Sequence, residues 1–502
     1  MKNRRSKYST TGLKSHGVIK LPWIPVLCMI LAVSCVKEPG QVEIKSYPEI
    51  YPEYIDLTIP DNIAPLNFVI KEPGTRYRIK IHAAKGRGID MRQRSPKIKI
   101  PVKKWQELLS ANSGDSLSIE VYILNDKKWQ EFKTIRHYIS PDPIDPWLVY
   151  RLVHAVYLKW MEMGIYQRNL TDFKEIPVIE NSSTDHACMN CHSFAGKDPS
   201  KMMIHFRINH SGTLVWDEGK LSKLDTKTMN TLSAGIYPSW HPEGRYIAFS
   251  TGKLNPHMTT RLNKVVDVAD RVSDLVILDV ENNTVSTPPA LSTSRRENLP
   301  VWSPDGKYLY FLSAPEAPEG DLDSLLHSKY DLMRISFNST TGKWGETELI
   351  MAADSTGMSM SIPSISPDGR FLVCSMSDYG YFTIFHKSSD LYCIDLETRE
   401  YHKLGLNSNS AESYSSWSSN SRWLVFSSKR MDDVFTRPFI AYIDKEGKSR
   451  KAFALPQEDP EMYYTLLANY NRPELITGKI ELDPSDIREV VMQEAGKAGI
   501  GK

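Results

Sequence analysis

Apolar and polar residues alternate in short runs along most of this chain, and four of those runs repeat one pattern. Residues 238–250 (PSWHPEGRYIAFS), 300–312 (PVWSPDGKYLYFL), 363–373 (PSISPDGRFLV) and 415–427 (SSWSSNSRWLVFS) each read as an apolar strand, a tight turn and a returning apolar strand. Proline presets the first turn position and glycine supplies positive φ at the last, so the Ser-Pro-Asp-Gly core predicts a hairpin. The fourth copy is degraded at its turn. A third strand follows each copy, at residues 274–279 (DLVILD), 331–335 (DLMRI), 390–395 (DLYCID) and 439–444 (FIAYID). Units of roughly 50–60 residues with four short strands predict the blades of a propeller. Residues 202–207 (MMIHFR) and 213–216 (TLVW) predict strands of an earlier, atypical blade, and residues 463–481 would begin a last one. The count is six, with seven the alternative.

Upstream, residues 54–140 alternate short strands with Gly, Asn and Asp turns, the pattern of a small β-sandwich with one helical insert near residues 102–109. A helix is then predicted from Asp145 as N-cap, through Pro146 at its first position, to a stop at Gly164. Val149, Val153, Val156, Trp160 and Met163 form one stripe of it, placing a packing helix between sandwich and propeller; His154 within it reads as a packed or surface histidine. The fold class is therefore mainly β: a propeller preceded by a small sandwich and a linking helix.

The first 35 residues change the picture of where this chain works. Lys2, Arg4, Arg5, Lys7, Lys14 and Lys20 make a basic lead without an acid, and residues 21–33 (LPWIPVLCMILAV) are apolar but too short to span a bilayer comfortably. Small residues then precede Cys35. This is the pattern of a lipoprotein signal peptide, cleaved before Cys35 and acylated there, so that lipid chains anchor an otherwise soluble body. The expected location is the bacterial cell envelope, the outer membrane favoured over the inner, with the body in the periplasm or at the cell surface. The net charge is +2, and removing the six leader cations leaves −4, which argues against a nucleic-acid partner.

Cys188-Met189-Asn190-Cys191-His192 carries the candidate chemistry. CxxCH is the spacing at which two thioether bonds fix a haem while the adjacent imidazole reaches the iron. Such haem is attached outside the cytoplasm, and the leader sends this chain there. Cys188 and Cys191 would carry one haem c, with His192 as the axial iron ligand. Met202, Met203 and His205 are candidates for the sixth position, with His186 and His210 further off, and Arg207 could neutralise a propionate. The alternative is a zinc site, a disulfide or a vestigial motif. His241 stands where sister blades carry Ser303 and Ser366, and reads as turn chemistry before haem contact. Cys374 and Cys393 fall in strands two and three of one repeat and could be bridged.

The W-S-P-D-G-(K/R) repeats over residues 230–455 resemble the TolB-type β-propellers, a resemblance that implies fold and not activity. Residues 63–68 (IAPLNF), 164–168 (GIYQR), 188–194 (CMNCHSF), 237–242 (YPSWHP) and 470–474 (YNRPE) together resemble a group of exported Bacteroidota lipoproteins that fuse a β-rich region to a CxxCH-bearing TolB-like propeller. These readings divide the chain into a signal peptide at 1–34, a tether at 35–53, a sandwich-like domain at 54–142, a helical linker at 143–184, a propeller at 185–482 with CxxCH in its first blade, and a tail at 483–502.

No G-x-S-x-G, H-E-x-x-H, P-loop or G-x-G-x-x-G occurs, and the acids Asp274, Asp305, Asp331 and Asp390 are spread one per turn or strand end. One haem without a catalytic set implies electron transfer or redox-linked docking of an envelope partner. The alternative is a TolB-like binding scaffold without haem; an enzyme working at the propeller mouth comes third.

Overall fold

The computed structural model describes residues 42–154, 162–258 and 266–501. The expected leader and the acylation site at Cys35 lie outside them.

Six sheets built on four antiparallel strands each, two of them with a fifth parallel edge strand, make up the larger part of the described residues. Blade 1 pairs Ala468–Ile476 with Trp147–His154, Met163–Asn169 and Glu175–Glu180. Blade 2 runs outward through Cys188–Phe194, Lys201–Arg207, Gly212–Asp217 and Lys220–Asp225. Blade 3 follows with Ile236–Trp240, Tyr246–Met258, Val266–Asp279 and Thr284–Ser286. Blade 4 holds Arg296–Trp302, Tyr308–Ala314, Asp331–Asn338 and Lys343–Met351. Blade 5 holds Ser359–Ile365, Phe371–Ser377, Asp390–Asp395 and Tyr401–Lys403, and blade 6 Glu412–Trp417, Trp423–Ser428, Arg437–Tyr442 and Phe453–Ala454. Each inner strand neighbours the next, and that of blade 6 returns to Ala468–Ile476. The architecture is a β-propeller.

The repeated motif builds the turn between first and second strands. In blade 4 the Ser303 hydroxyl donates to Asp305 (2.6 Å), accepts from the Tyr308 amide (3.0 Å), and the Ser303 amide donates to the Tyr308 carbonyl (2.8 Å). Ser366 with Asp368, and Ser418 with Asn420, repeat this arrangement, so the degraded fourth copy keeps the geometry with an amide in place of the carboxylate. Gly306 takes φ 69°, and a Cβ there would lie 2.4 Å from the His241 ring. His241 Nε2 bonds the Gly306 carbonyl at 3.0 Å, so this histidine joins two turns in neighbouring blades.

Three expectations are corrected. The segment predicted as one helix from Asp145 to Gly164 forms two strands of blade 1, Trp147–His154 and Met163–Asn169; Val156 and Trp160 lie outside the described residues. Val149 and Val153 stand four apart, a spacing that fits a helix stripe and one face of a strand equally well, and aromatic and β-branched residues favour the strand when both faces are covered. Blade 1 consequently takes its inner strand from residues 468–476 and its outer three from residues 147–180, so residues 143–184 are not a linker. Finally, the expected tail at 483–502 is folded. Helix Pro484–Met492 buries Ile487 and Val491, and Gly496–Lys497 and Gly499–Ile500 extend the outer edges of blades 2 and 3 in parallel.

The N-terminal region is a seven-stranded and a three-stranded sheet with helix Val102–Ala111, whose Trp105, Leu108 and Leu109 are buried. Its core runs without a break into blades 5 and 6, where Ile59, Ile81 and Trp105 share one apolar cluster with Trp417, Trp423 and Phe439. Trp423 Nε1 donates to the Asp142 carbonyl (2.7 Å) and Tyr54 to the Ala454 carbonyl (3.2 Å).

Candidate functional site

The motif lies on Cys188–Phe194, the inner strand of blade 2. Its pairing with the second strand runs Cys188–Arg207 and Met189–Phe206, then resumes at His192–Ile204, so Asn190 and Cys191 together face His205 alone. This is a β-bulge, which re-aims the side chains at that point. The same bulge interrupts every other inner strand: after Ile236, Asn298, Ser361 and Ser413, and at Arg472 in blade 1. In those five the first bulged residue has positive φ: Tyr237 (51°), Leu299 (48°), Ile362 (46°), Tyr414 (43°) and Arg472 (49°). Four are followed by proline. By register, Asn190 and Cys191 take these two places in blade 2, and His192 takes the place held by Ser239, Val301, Ser364, Ser416 and Glu474. Asn190, Cys191 and His192 of the motif thus take the place of the bulged segment that carries proline in four of the five sister blades.

Cys188 and Cys191 are free thiols, 7% and 6% exposed, and His192 is 1% exposed. The His192 ring has a hydrogen bond with the Arg472 main chain, and its Nε2 has no partner. Burial, then the Arg472 and Arg151 charges, push the imidazole down to about 3, which keeps it neutral with a lone pair available. Two guanidiniums converge beside the thiols. Arg151 donates to the Met189 carbonyl (2.7 Å) and, with Arg207, to Asn190 Oδ1 (3.3 and 3.4 Å); the Nε of each has no partner. Burial pushes Arg151 below the usual guanidinium range, and the like charge of Arg207 adds to that. Arg151 was invisible to motif reading because it comes from the strand taken for a helix.

The candidates for a sixth ligand are placed differently. Ile204 stands opposite His192, so its neighbours Met203 and His205 project from the other face of the sheet. Met203 packs between blades 2 and 3 with Trp240 and Val276, and His205 bonds Thr213 Oγ1 at 3.1 Å. Met202 shares the His192 face, but it is fully buried in the cluster that joins blades 1 and 2. None of the three stands free before the His192 ring. His210 lies 3.6 Å from Asp185, His154 lies 3.4 Å from Glu162, and His186 sits in the turn before the motif with positive φ. Among the described residues no three His, Cys, Asp or Glu side chains gather as a metal cage.

The possible Cys374–Cys393 bridge is excluded by register. Cys393 pairs with Val373 and Cys374 with Tyr392, so the two thiols leave opposite faces of their sheet. Both are free and buried, and burial pushes each up to about 12.

A cavity of about 390 Å³ opens on the axis beyond the motif, next to Ser193 and Phe194. All six inner strands line it, through Tyr237–Trp302 neighbours on one side and Tyr414, Arg472 and Glu474 on the other. Sequence reasoning also missed Asp270, whose carboxylate accepts from Tyr381 (2.7 Å) and Asn298 (3.1 Å) and is pushed by burial up to about 6; a lone aspartate in a strand carries no motif to find it by.

No protein-family profile and no curated protein matches this chain. Similarity lies with solved structures. The nidogen/laminin complex matches at 8% identity and a TM-score of 0.38, over 66% of this chain and 99% of that one. The propeller domain of the Trilobed protease from Pyrococcus furiosus matches at 12% and 0.35, over 71% and 96%. The tricorn protease matches at 13% and 0.36, over 69% of this chain but 33% of its own.

Proposed function

We propose that this protein is an envelope lipoprotein that carries one c-type haem at the axis of its propeller and serves in electron transfer or redox-linked docking of a partner. The observation that carries the reading is His192: a buried, neutral imidazole whose ring is engaged by the Arg472 main chain while Nε2 is left without a partner, next to two free thiols at the right spacing. A histidine that ligates a metal characteristically gives its other nitrogen to a carbonyl or carboxylate, and this fixes ring and tautomer. The residue types and their spacing are those that hold such a group, but the two thiols and the ring are enclosed and none of them lines the axial cavity, so room for it would have to open in blade 2. Cys188 and Cys191 would hold it by thioethers and His192 would bind its iron, while Arg207 and Arg151 would offset its negative charge. When bound, haem supplies a one-electron couple. This chain's own residues exclude water from the ring and set two positive charges beside it, and positive charge raises a reduction potential.

The test is expression with and without a periplasmic haem-c maturation system, followed by haem staining of the denatured protein. Covalent haem is expected with maturation, lost in Cys188→Ala/Cys191→Ala, and retained with an altered visible spectrum in His192→Ala. Absence of covalent haem from the wild-type chain sinks the reading. A second reading, a haem-free binding scaffold, is favoured by the axial cavity of about 390 Å³.

A further inference from the structure

The axial cavity holds two cations that no group of the protein pairs. Among the described residues its charged lining is Lys197, Arg472 and Glu474. Lys197 comes from the turn that follows the inner strand of blade 2, and its carbonyl accepts from the Thr477 amide (3.1 Å) and hydroxyl (3.2 Å). Arg472 comes from the inner strand of blade 1, and its Nη2 donates to the Pro238 carbonyl (2.9 Å). Neither side chain forms an ion pair. Lys197 Nζ and Arg472 Nε and Nη1 have no hydrogen-bond partner among the described residues, and none of these three atoms is enclosed.

The repeat shows that Arg472 is a departure. The sister blades place Asn190, Tyr237, Leu299, Ile362 and Tyr414 at the same point of their bulges, so blade 1 alone sets a charge there. The one acid of the lining, Glu474, lies near both cations and pairs with neither; it accepts from the Phe194 amide at 3.4 Å. Burial holds Lys197 below the usual amine range, against the pull of Glu474 and Asp145. A cation drawn away from water without a partner is unfavourable, and an anion that reaches it offsets the loss.

The lining selects among anions. Two cations against one carboxylate call for a single negative charge, and a multiply charged phosphate would meet Glu474 as a repulsive neighbour. A guanidinium presents its N–H groups as a fork that matches a carboxylate. The walls are apolar: Pro238, Pro300, Pro363 and Pro473, with Tyr237 and Tyr414 beside them. The volume falls within the range of about 300–1,000 Å³ usual for small-molecule sites. We propose that the axial cavity binds a small organic monocarboxylate, its carboxylate held by Arg472 and Lys197 and its apolar body set against the prolines. The thiols do not line this cavity, and binding there does not depend on haem.

Calorimetric titration of the full processed protein, prepared with and without haem maturation, tests it. The probes are butyrate, benzoate and phenylacetate, each beside its uncharged amide, and inorganic phosphate. At least one carboxylate binds one-to-one in both preparations, and its amide does not bind at millimolar concentration. Lys197→Met, which keeps the length of the side chain and removes its charge, weakens binding about tenfold or more, as loss of one partner of a charge pair does. Glu474→Gln, which keeps the shape and removes the like charge, tightens it. Near-UV circular dichroism reports whether the variants fold, and Arg472→Gln replaces Lys197→Met if that one does not. No carboxylate binding at millimolar concentration, amides that bind as well as the acids, binding of phosphate alone, or an affinity unmoved by removal of the cation overturns the proposal.

Discussion

Cys191 stands where blades 1, 3, 4 and 5 place a proline, and that substitution shows how much of the site could be read in advance. The spacing of the motif was legible because two cysteines and a histidine are chemically loud. Its place on a bulge at the axis was not, since bulge register depends on a second strand that no local pattern names. The same limit explains the thiols of blade 5. Cys374 and Cys393 fall in adjacent strands, which invites a bridge, but one step of register separates facing from opposed side chains. A thiol count checks this. A chain begun after Cys35, carrying Cys188→Ala and Cys191→Ala and denatured without reductant, should give two reactive thiols, from Cys374 and Cys393; none would mean the register is wrong. His137 offers a test by pH. It is buried in the N-terminal region, accepts from the Leu57 amide at 3.2 Å, and burial pushes it down to about 4. The folded state therefore holds fewer protons than the unfolded state below the ordinary histidine value. Stability from this group is complete above about pH 6.5 and is lost as pH falls toward 4, by up to about 3 kcal/mol. His137→Asn should flatten the acid limb of a denaturation-midpoint profile over that window and leave the slope above pH 7 unchanged.

At the scale of elements, the blades with a Ser-Pro-Asp-Gly turn announced themselves because turn chemistry and strand alternation agree there. Blade 1 did not. Its strands Trp147–His154 and Met163–Asn169 are covered on both faces over much of their length, so their apolar residues lose the period-two signature, and a good N-cap at Asp145 adds a false helix signal. Asp145 in fact binds the Ser419 amide (2.8 Å) and hydroxyl (2.5 Å), tying the start of blade 1 to the turn of blade 6. The turn glycines give a further prediction. Gly306→Ala adds a Cβ 2.4 Å from the His241 ring at φ 69°, and should cost about 1–3 kcal/mol, seen as a lower midpoint of thermal unfolding. Gly369→Ala, with nothing within 4 Å of its added Cβ, should cost less.

At the scale of the whole molecule, the strand from residues 468–476 is what makes the ring continuous, since its pairing with Trp147–His154 joins positions more than three hundred residues apart. A chain cut after residue 482 loses only helix Pro484–Met492 and the two short edge strands, and should keep its β-sheet circular dichroism and one cooperative transition at a reduced midpoint. A chain cut after residue 467 should lose cooperative unfolding altogether. Equal behaviour of the two would show that the joining strand contributes little to the fold.

That joint also imposes an order of events. The Cys188–Phe194 strand lies directly beside the joining strand, and its two sulfurs are almost wholly enclosed once the ring is complete. An assembly enzyme that works on both sulfurs would need them accessible, and the strand 468–476 is one of the elements of blade 1 packed over them in the finished ring. On the proposed haem reading, loading belongs to the half-made chain, and the last strand to arrive would seal in whatever has, or has not, been joined before it.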